Sequence, residues 1–183
     1  DNVADCVLVG DKDKIKAAAD AAKADISKAE IIDEADTTKA AKKAVALVSS
    51  GECHIAMKGK LHTDDFLRAI LDKEVGLRTG RLLSHVFLLE VPMPVKRLMM
   101  VTDGAMNIAP NFEEKAQICT NAIALARLFG NEAPKVAALA GVELVNPKMQ
   151  ATQDAAVLAL MSYRGQFEHG MVEGPLAMDL AVS

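Results

Sequence analysis

Twelve consecutive residues concentrate groups on which chemistry could be built. Met57-Lys58-Gly59-Lys60-Leu61-His62-Thr63-Asp64-Asp65-Phe66-Leu67-Arg68 holds two lysines, a histidine, a threonine and an arginine. Arg grips phosphate with a planar fork, whereas Lys acts as a point charge. The apolar run at 54–57 leads into this stretch and reads as a strand. Phe66, Leu67, Ile70 and Leu71 lead out of it and predict a helix over 64–73. Arg68 falls one turn into that helix, so its guanidinium can reach back towards the helix amino end. In open α/β sheets, ligands gather where strand carboxyl ends meet helix amino ends. A cationic turn there, with Gly59 inside it, points to an anionic ligand such as phosphate. A solvated basic loop, with Arg68 on a helix surface, is the other reading of the same residues.

Ser84 and His85 form a second group, inside the apolar run 82–91. A polar pair in a buried strand needs hydrogen-bond partners, and a functional site is one reason to carry it. A satisfied core serine and histidine is the other. As strand neighbours they would point to opposite faces, which argues against a Ser–His dyad. No Gly-x-Ser-x-Gly elbow surrounds Ser84. Asp103 and Asn107 form a third group. Asp103 is expected at a strand's carboxyl end, and Asn107 could donate to a ligand oxygen. Loop-shaping hydrogen bonds are the competing role for both. Asp103 and Asp179 could share a divalent cation, but no dense carboxylate cluster supports a metal.

The elements that must position these groups alternate. Short apolar runs at 6–9, 29–32 and 54–57 read as strands, with helices over 12–23 and 39–48 between them, the second capped by residues 36–38. This is the signature of βαβ units and a parallel sheet. Beyond residue 78 the rhythm changes. Strands at 82–91 and 97–102, joined by a link containing Pro92-Met93-Pro94, must be antiparallel. Asn111 and Glu114 resemble a capping box for an amphipathic helix over 112–129, which Gly130 ends. A strand at 135–142, a helix at 154–163 capped by Thr152, and a short strand at 171–173 follow. The expected fold is α/β with mostly parallel sheets, divided into a first lobe over 1–78 and an incomplete second lobe over 79–183.

The bulk composition narrows the function. The chain has 183 residues and 51% apolar content, enough for a substantial core. A net charge of −4, no Trp and one Tyr argue against a nucleic-acid binder. Cys6, Cys53 and Cys119 are scattered, with no zinc-ligand spacing, and read as buried free thiols of a reducing compartment. No run reaches membrane-spanning length and no signal-peptide pattern opens the chain, so a cytoplasmic protein without a membrane partner is expected. Both ends fall within expected elements, which suggests an internal segment of a longer chain. Neither GxGxxG nor a Walker A sequence is present, so dinucleotide and P-loop readings lose their main support.

An ordered set of short motifs now becomes informative. Met57-Lys58-Gly59, Leu61-His62-Thr63, Leu67-Arg68, Gly76-Leu77-Arg78, Leu83-Ser84-His85-Val86-Phe87, Thr102-Asp103-Gly104, Met106-Asn107-Ile108-Ala109-Pro110, Glu114-Lys115-Ala116-Gln117-Ile118, Asn121-Ala122, Pro134-Lys135-Val136-Ala137 and Gly174-Pro175-Leu176-Ala177-Met178-Asp179 resemble the phosphate acetyl/butyryltransferase family. The likeness is stronger towards the butyryl branch. It implies transfer of an acyl group between coenzyme A and inorganic phosphate, with CoA as substrate and no cofactor. It also implies two α/β lobes facing a cleft, as in isocitrate and isopropylmalate dehydrogenases, and a homodimer. Lys58, Gly59, His62, Thr63, Arg68, Ser84, His85, Asp103 and Asn107 are the substrate-binding candidates, and Arg68 matches a family arginine of the cleft. Family members are longer. Their Ser-Arg pair and following Asp, implied to bind phosphate and take the thiol proton, are expected beyond Ser183. A non-catalytic CoA- or phosphate-binding module of the same fold is the alternative. A metal-dependent hydroxyacid dehydrogenase would need the carboxylate cluster that the sequence lacks.

Overall fold

Asp11 shows how local chemistry sets the first elements. The computed structural model describes residues 3–92 and 96–182. Strand β1 (Val7–Gly10) ends at Asp11, whose carboxylate accepts from the N–H groups of Asp13 at 3.1 Å and Lys14 at 3.0 Å and so starts helix α1 (Lys12–Ala22). The chain returns as β2 (Glu30–Asp33), parallel to β1, with Val7 opposite Glu30. Asp33 accepts from the Lys12 N–H at 3.0 Å, tying the strand to the crossover helix.

Asp36 caps α2 (Thr37–Ser49) by accepting from the Lys39 N–H at 2.9 Å. Helix α3 (Thr63–Ile70) packs on α2 through Ala41, Val45 and Ala69, with Leu61, Phe66, Ile70 and Leu77 at the margin. Ala41 and Val45 are one turn apart, as a buried helical face requires. Gly76 closes this packing. A Cβ there would stand 2.3 Å from the Asp72 carbonyl oxygen, so no other residue fits. These elements belong to one compact unit, Asp1–Gly80; a second comprises Arg81–Ser183.

The strand expected at 54–57 does not form. Ile55 is 81% exposed and Met57 88% exposed. Their alternate spacing would place both on one strand face. Among the described residues β1 and β2 pair only with each other, and an apolar face at 54–57 has nothing packed on it.

In the second unit β3 (Phe87–Val91) and β4 (Arg97–Val101) are antiparallel, with Phe87 opposite Val101. The predicted break at Met93-Pro94 lies outside the described residues. The strand expected over 82–91 is cut to its second half, because side chains from elsewhere occupy the backbone groups of 82–85. Helix α4 (Phe112–Leu128) starts at a complete capping box. Asn111 accepts from the Glu114 N–H at 3.0 Å, and Glu114 accepts from the Asn111 N–H at 2.7 Å. Gly130, at φ +85°, follows the helix end.

Strand β5 (Lys135–Leu139), helix α5 (Gln150–Tyr163) and the parallel strand β6 (Met171–Leu176) make a βαβ unit, and α6 (Met178–Val182) follows. Cys119 and Ile123 of α4, Leu158 of α5, Phe167 and Val172 form its core. Gly174 lets β6 pass close to β5, since a Cβ would lie 2.6 Å from the Ala138 carbonyl oxygen. Thr152 is not a cap at the start of α5. It sits in the first turn, fully buried, and its hydroxyl accepts from the Asn146 N–H at 2.9 Å while donating to the Met149 carbonyl at 2.8 Å. The protein is thus mixed α/β, with two parallel strand pairs and one antiparallel pair among the described residues.

The thiols differ more than expected. Cys119 is buried and desolvation pushes its pKa up to about 11, whereas Cys6 is exposed and Cys53 half-buried. A thiol-reactive disulfide reagent at neutral pH should therefore label Cys6 rapidly and leave Cys119 unlabelled until the protein unfolds. Asn111→Ala should lower stability by about 1 kcal/mol in urea unfolding.

Candidate functional site

The candidate residues fall into two groups, one in each unit. In the first unit, the loop preceding α3 folds on itself. Lys58 Nζ donates to the Leu61 carbonyl at 3.3 Å, and the Leu61 N–H donates to the Gly59 carbonyl at 2.9 Å. A Cβ at Gly59 would meet nothing within 4 Å, so the backbone here stays open to approach. His62 stands at the N-cap position of α3 without capping it through its side chain, and Thr63 is the first helical residue. Asp64 and Asp65 in the first turn and Arg68 in the last oppose the helix dipole. Arg68 does reach back one turn, but to a carboxylate: Nη1 lies 2.9 Å from Asp65 Oδ1. Its side chain is 76% exposed, and such i,i+3 pairs contribute about 0–1 kcal/mol, so an anion can replace Asp65 at small cost.

The carboxyl end of α3 is fixed more firmly. Asp72 accepts from Lys42 Nζ of α2 at 2.9 Å and from the N–H groups of Glu74 and Val75. The Lys42 bond, followed by these two, lowers its pKa to about 2.

In the second unit, Asp103 follows β4 and gathers the other candidates. Its Oδ1 accepts from the N–H groups of Ala105 at 3.0 Å and Met106 at 2.9 Å. Its Oδ2 accepts from the His85 N–H at 3.0 Å and the Asn107 amide at 2.6 Å. Asn107 also donates to the Leu83 carbonyl at 3.1 Å, and Thr102 Oγ1 donates to the His85 carbonyl at 2.7 Å. Partial burial raises the Asp103 pKa, but the N–H groups of Met106, Ala105 and His85 and the Asn107 amide outweigh it and hold the carboxyl below the ordinary carboxylate range.

Helix α4 supports the same segment from its other side. Gln117 accepts from the Leu82 N–H at 2.9 Å. Asn121 donates to the Leu82 carbonyl at 2.9 Å and to Ser84 Oγ at 3.0 Å. These bonds replace the ladder that would have extended β3 backwards. Ser84 and His85 are consequently not strand neighbours on opposite faces. The His85 ring packs edge-on against Phe87, with centroids 4.2 Å apart, and its Nδ1 is buried without a hydrogen-bond partner.

Asp103, Asn107, Ser84 and His85 are thus brought together. Gln117, Asn121 and Thr102 complete the network and were not singled out as site residues. Their signal was a pair of amides one helical turn apart beside the buried positions Ile118 and Ala122. A second missed pair, Lys115 and Asp154, joins α4 to α5 at 2.5 Å, with Gln150 on the other carboxylate oxygen at 2.8 Å. Asp179 lies in α6, and no group of three possible metal ligands occurs among the described residues.

The chain as a whole resembles known proteins. A sequence model of the phosphate acetyl/butaryl transferase family matches residues 34–183. The chain belongs to that family. It is 47% identical over 181 residues to a phosphate butyryltransferase of Clostridium acetobutylicum, covering 99% of this chain and 60% of that protein. It is 42% identical to a phosphate acetyltransferase of Rhizobium meliloti over 176 residues, 96% of this chain and 55% of the relative. A crystal structure of a branched-chain phosphotransacylase from Enterococcus faecalis V583 superposes with a TM-score of 0.80 at 27% identity, covering 97% of this chain and 71% of that one. The chain spans little more than half the length of these curated relatives.

The Asp103 network predicts a specific acid response. A carboxylate with a depressed pKa contributes stability above its unfolded value near about 4, and that contribution is lost as pH falls below it. Asp103→Asn should therefore unfold more easily than the parent at neutral pH. It should also lose less of its remaining stability than the parent between about pH 6 and pH 3, as read from urea midpoints.

Proposed function

We propose that this family member transfers a short acyl group, butyryl or acetyl, between coenzyme A and inorganic phosphate. The 47% identity to a phosphate butyryltransferase over 99% of the chain carries this reading. In the acyl-phosphate-forming direction, a phosphate oxygen attacks the thioester carbonyl carbon. The carbon–sulfur bond then breaks, and the CoA thiolate leaves and takes up a proton. Negative charge grows on the carbonyl oxygen on the way, where fixed donors help most. No covalent enzyme nucleophile enters this scheme. The buried, high-pKa thiol of Cys119 is consistent with that.

Arg68 and Lys58 neutralise phosphate in this proposal, with the Gly59 backbone, His62 and Thr63 beside them. Ser84, His85, Asp103 and Asn107 form the second substrate-binding group. Asp103 has a positioning role, since its four hydrogen bonds among the described residues come from donors of its own unit. The proposed architecture is that of two lobes, 1–78 and 79–183, arranged as in isocitrate and isopropylmalate dehydrogenases, in a cytoplasmic homodimer. CoA is a substrate and no cofactor, metal, nucleic acid or membrane partner takes part. Among the described residues no helix is long and apolar enough to cross a membrane.

The test is phosphate-dependent release of free thiol from butyryl-CoA and acetyl-CoA by the purified protein. Arg68→Ala should raise KM for phosphate about tenfold or more while leaving the urea midpoint almost unchanged, since its ion pair with Asp65 is exposed. Loss of stability with unchanged kinetics would assign Arg68 to the scaffold. Saturable CoA binding without turnover would instead support a binding module of the same fold.

A further inference from the structure

The side chain of Asn121 fixes the sense of a hydrogen bond to Ser84. Its Nδ2 lies 2.9 Å from the Leu82 carbonyl oxygen and 3.0 Å from Ser84 Oγ. A carbonyl oxygen only accepts, so the nitrogen end of the amide must face Leu82. The same nitrogen has a second hydrogen, and Ser84 Oγ receives it. A hydroxyl carries one hydrogen and two acceptor sites. One acceptor site is thus filled, and among the described residues no acceptor takes the Ser84 hydrogen. Ser84 is half-buried, so this hydrogen remains available to a small group that reaches the segment.

The backbone around Ser84 cannot turn away. Gln117 holds the Leu82 N–H, Asn107 the Leu83 carbonyl, Asp103 the His85 N–H and Thr102 the His85 carbonyl. Nor is Ser84 activated as a nucleophile, because an amide that donates to a hydroxyl cannot take its proton. What remains is a fixed neutral donor. Its surroundings select the oxygen it serves. The ionised Asp103 carboxylate is bound to the next residue, 3.0 Å from the His85 N–H, and opposes a phosphate dianion there. A thioester carbonyl arrives neutral and gains charge only as the reaction proceeds.

We propose that the Ser84 hydroxyl donates to the thioester carbonyl oxygen, and that Asn121 is the positioning residue that directs it there. This rests on the acyl-transfer reading and names what one member of its second residue group does. Ser84 keeps its proton throughout. A phosphate oxygen bonds to the carbonyl carbon, and the electron pair displaced onto the carbonyl oxygen is stabilised by the Ser84 hydrogen bond. That pair returns as the carbon–sulfur bond breaks and the thiolate leaves. The bond strengthens as the charge grows, so its loss falls mainly on kcat.

The experiment first reads the bond without turnover. Butyryl-CoA with an isotope-labelled carbonyl carbon is bound to the protein in the absence of phosphate, and the labelled carbonyl stretch is recorded by difference infrared spectroscopy. Ser84→Ala should move the bound band to higher frequency, and Ser84→Thr, which keeps a hydroxyl, should hold it low. Asn121→Asp should act like Ser84→Ala although Ser84 is intact, because the new carboxylate draws the hydroxyl hydrogen to itself. In the thiol-release assay, Ser84→Ala and Asn121→Asp should each lower kcat about a hundredfold with KM for butyryl-CoA little changed, and Ser84→Thr should restore much of it. The Ser84 pair alone decides if Asn121→Asp lowers the urea midpoint. An identical band in the parent and Ser84→Ala, or no protein-bound band at all, would overturn the proposal. Band shifts as expected without thiol release would support the hydrogen bond and count against acyl transfer alone.

Discussion

The second unit depends on one carboxylate with four donors. Asp103 follows β4, and its two oxygens are shared between its own loop, at Ala105, Met106 and Asn107, and a segment some twenty residues earlier, at His85. An ionised carboxylate accepts such bonds more strongly than a neutral carbonyl would. The single charge therefore fixes the course of residues 83–85, and with it the positions of Ser84 and His85. Because its lone pairs are engaged, Asp103 is poorly placed to accept a proton from a substrate. Its contribution to any reaction is to hold neighbours still, which is itself a large part of catalysis.

The first unit places its cations on a different principle. Nothing immobilises the Arg68 guanidinium beyond one exposed contact with Asp65, and Lys58 bonds only a nearby carbonyl. The rigid parts lie beneath. Val45 and Ala69 lock α3 to α2, and the Lys42–Asp72 pair holds its far end. Arg68 thus carries an exposed charge on a firmly packed helix, and Lys58 an exposed one in the loop before it. The second unit, by contrast, presents its candidates on backbone held from several sides.

Much of this was legible from residues near each other in sequence. Asp36 before α2, the Asn111–Glu114 box before α4, and Gly130 after it are local signals, and each does what its spacing implies. Strand 54–57 was misread because apolar content alone does not report whether a segment pairs with a sheet or packs on a core. The run 82–86 was misread because its backbone partners are Gln117, Asn121 and Asp103, side chains from 18 to 39 positions away. Thr152 has the right type for a cap but serves the preceding loop from inside the helix. For the candidate site, the location of Asp103 after a strand was readable, while its role as a common acceptor was not. The reach of Arg68 back towards the helix amino end was readable, while its pairing there with Asp65, three residues before it, was not.

Helix α1 is bound differently from every longer helix among the described residues. None of its residues is buried, whereas α2, α4 and α5 each bury three or more. It is held at its start by Asp11 and Asp33 and at its end by the turn at Lys23, that is, by hydrogen bonds water can replace. Such a segment detaches at little free-energy cost while the apolar core beside it stays intact. For a protease that acts on locally unfolded chain, residues 12–23 are the natural first point of cleavage, and a cut there would leave the α2–α3 packing standing.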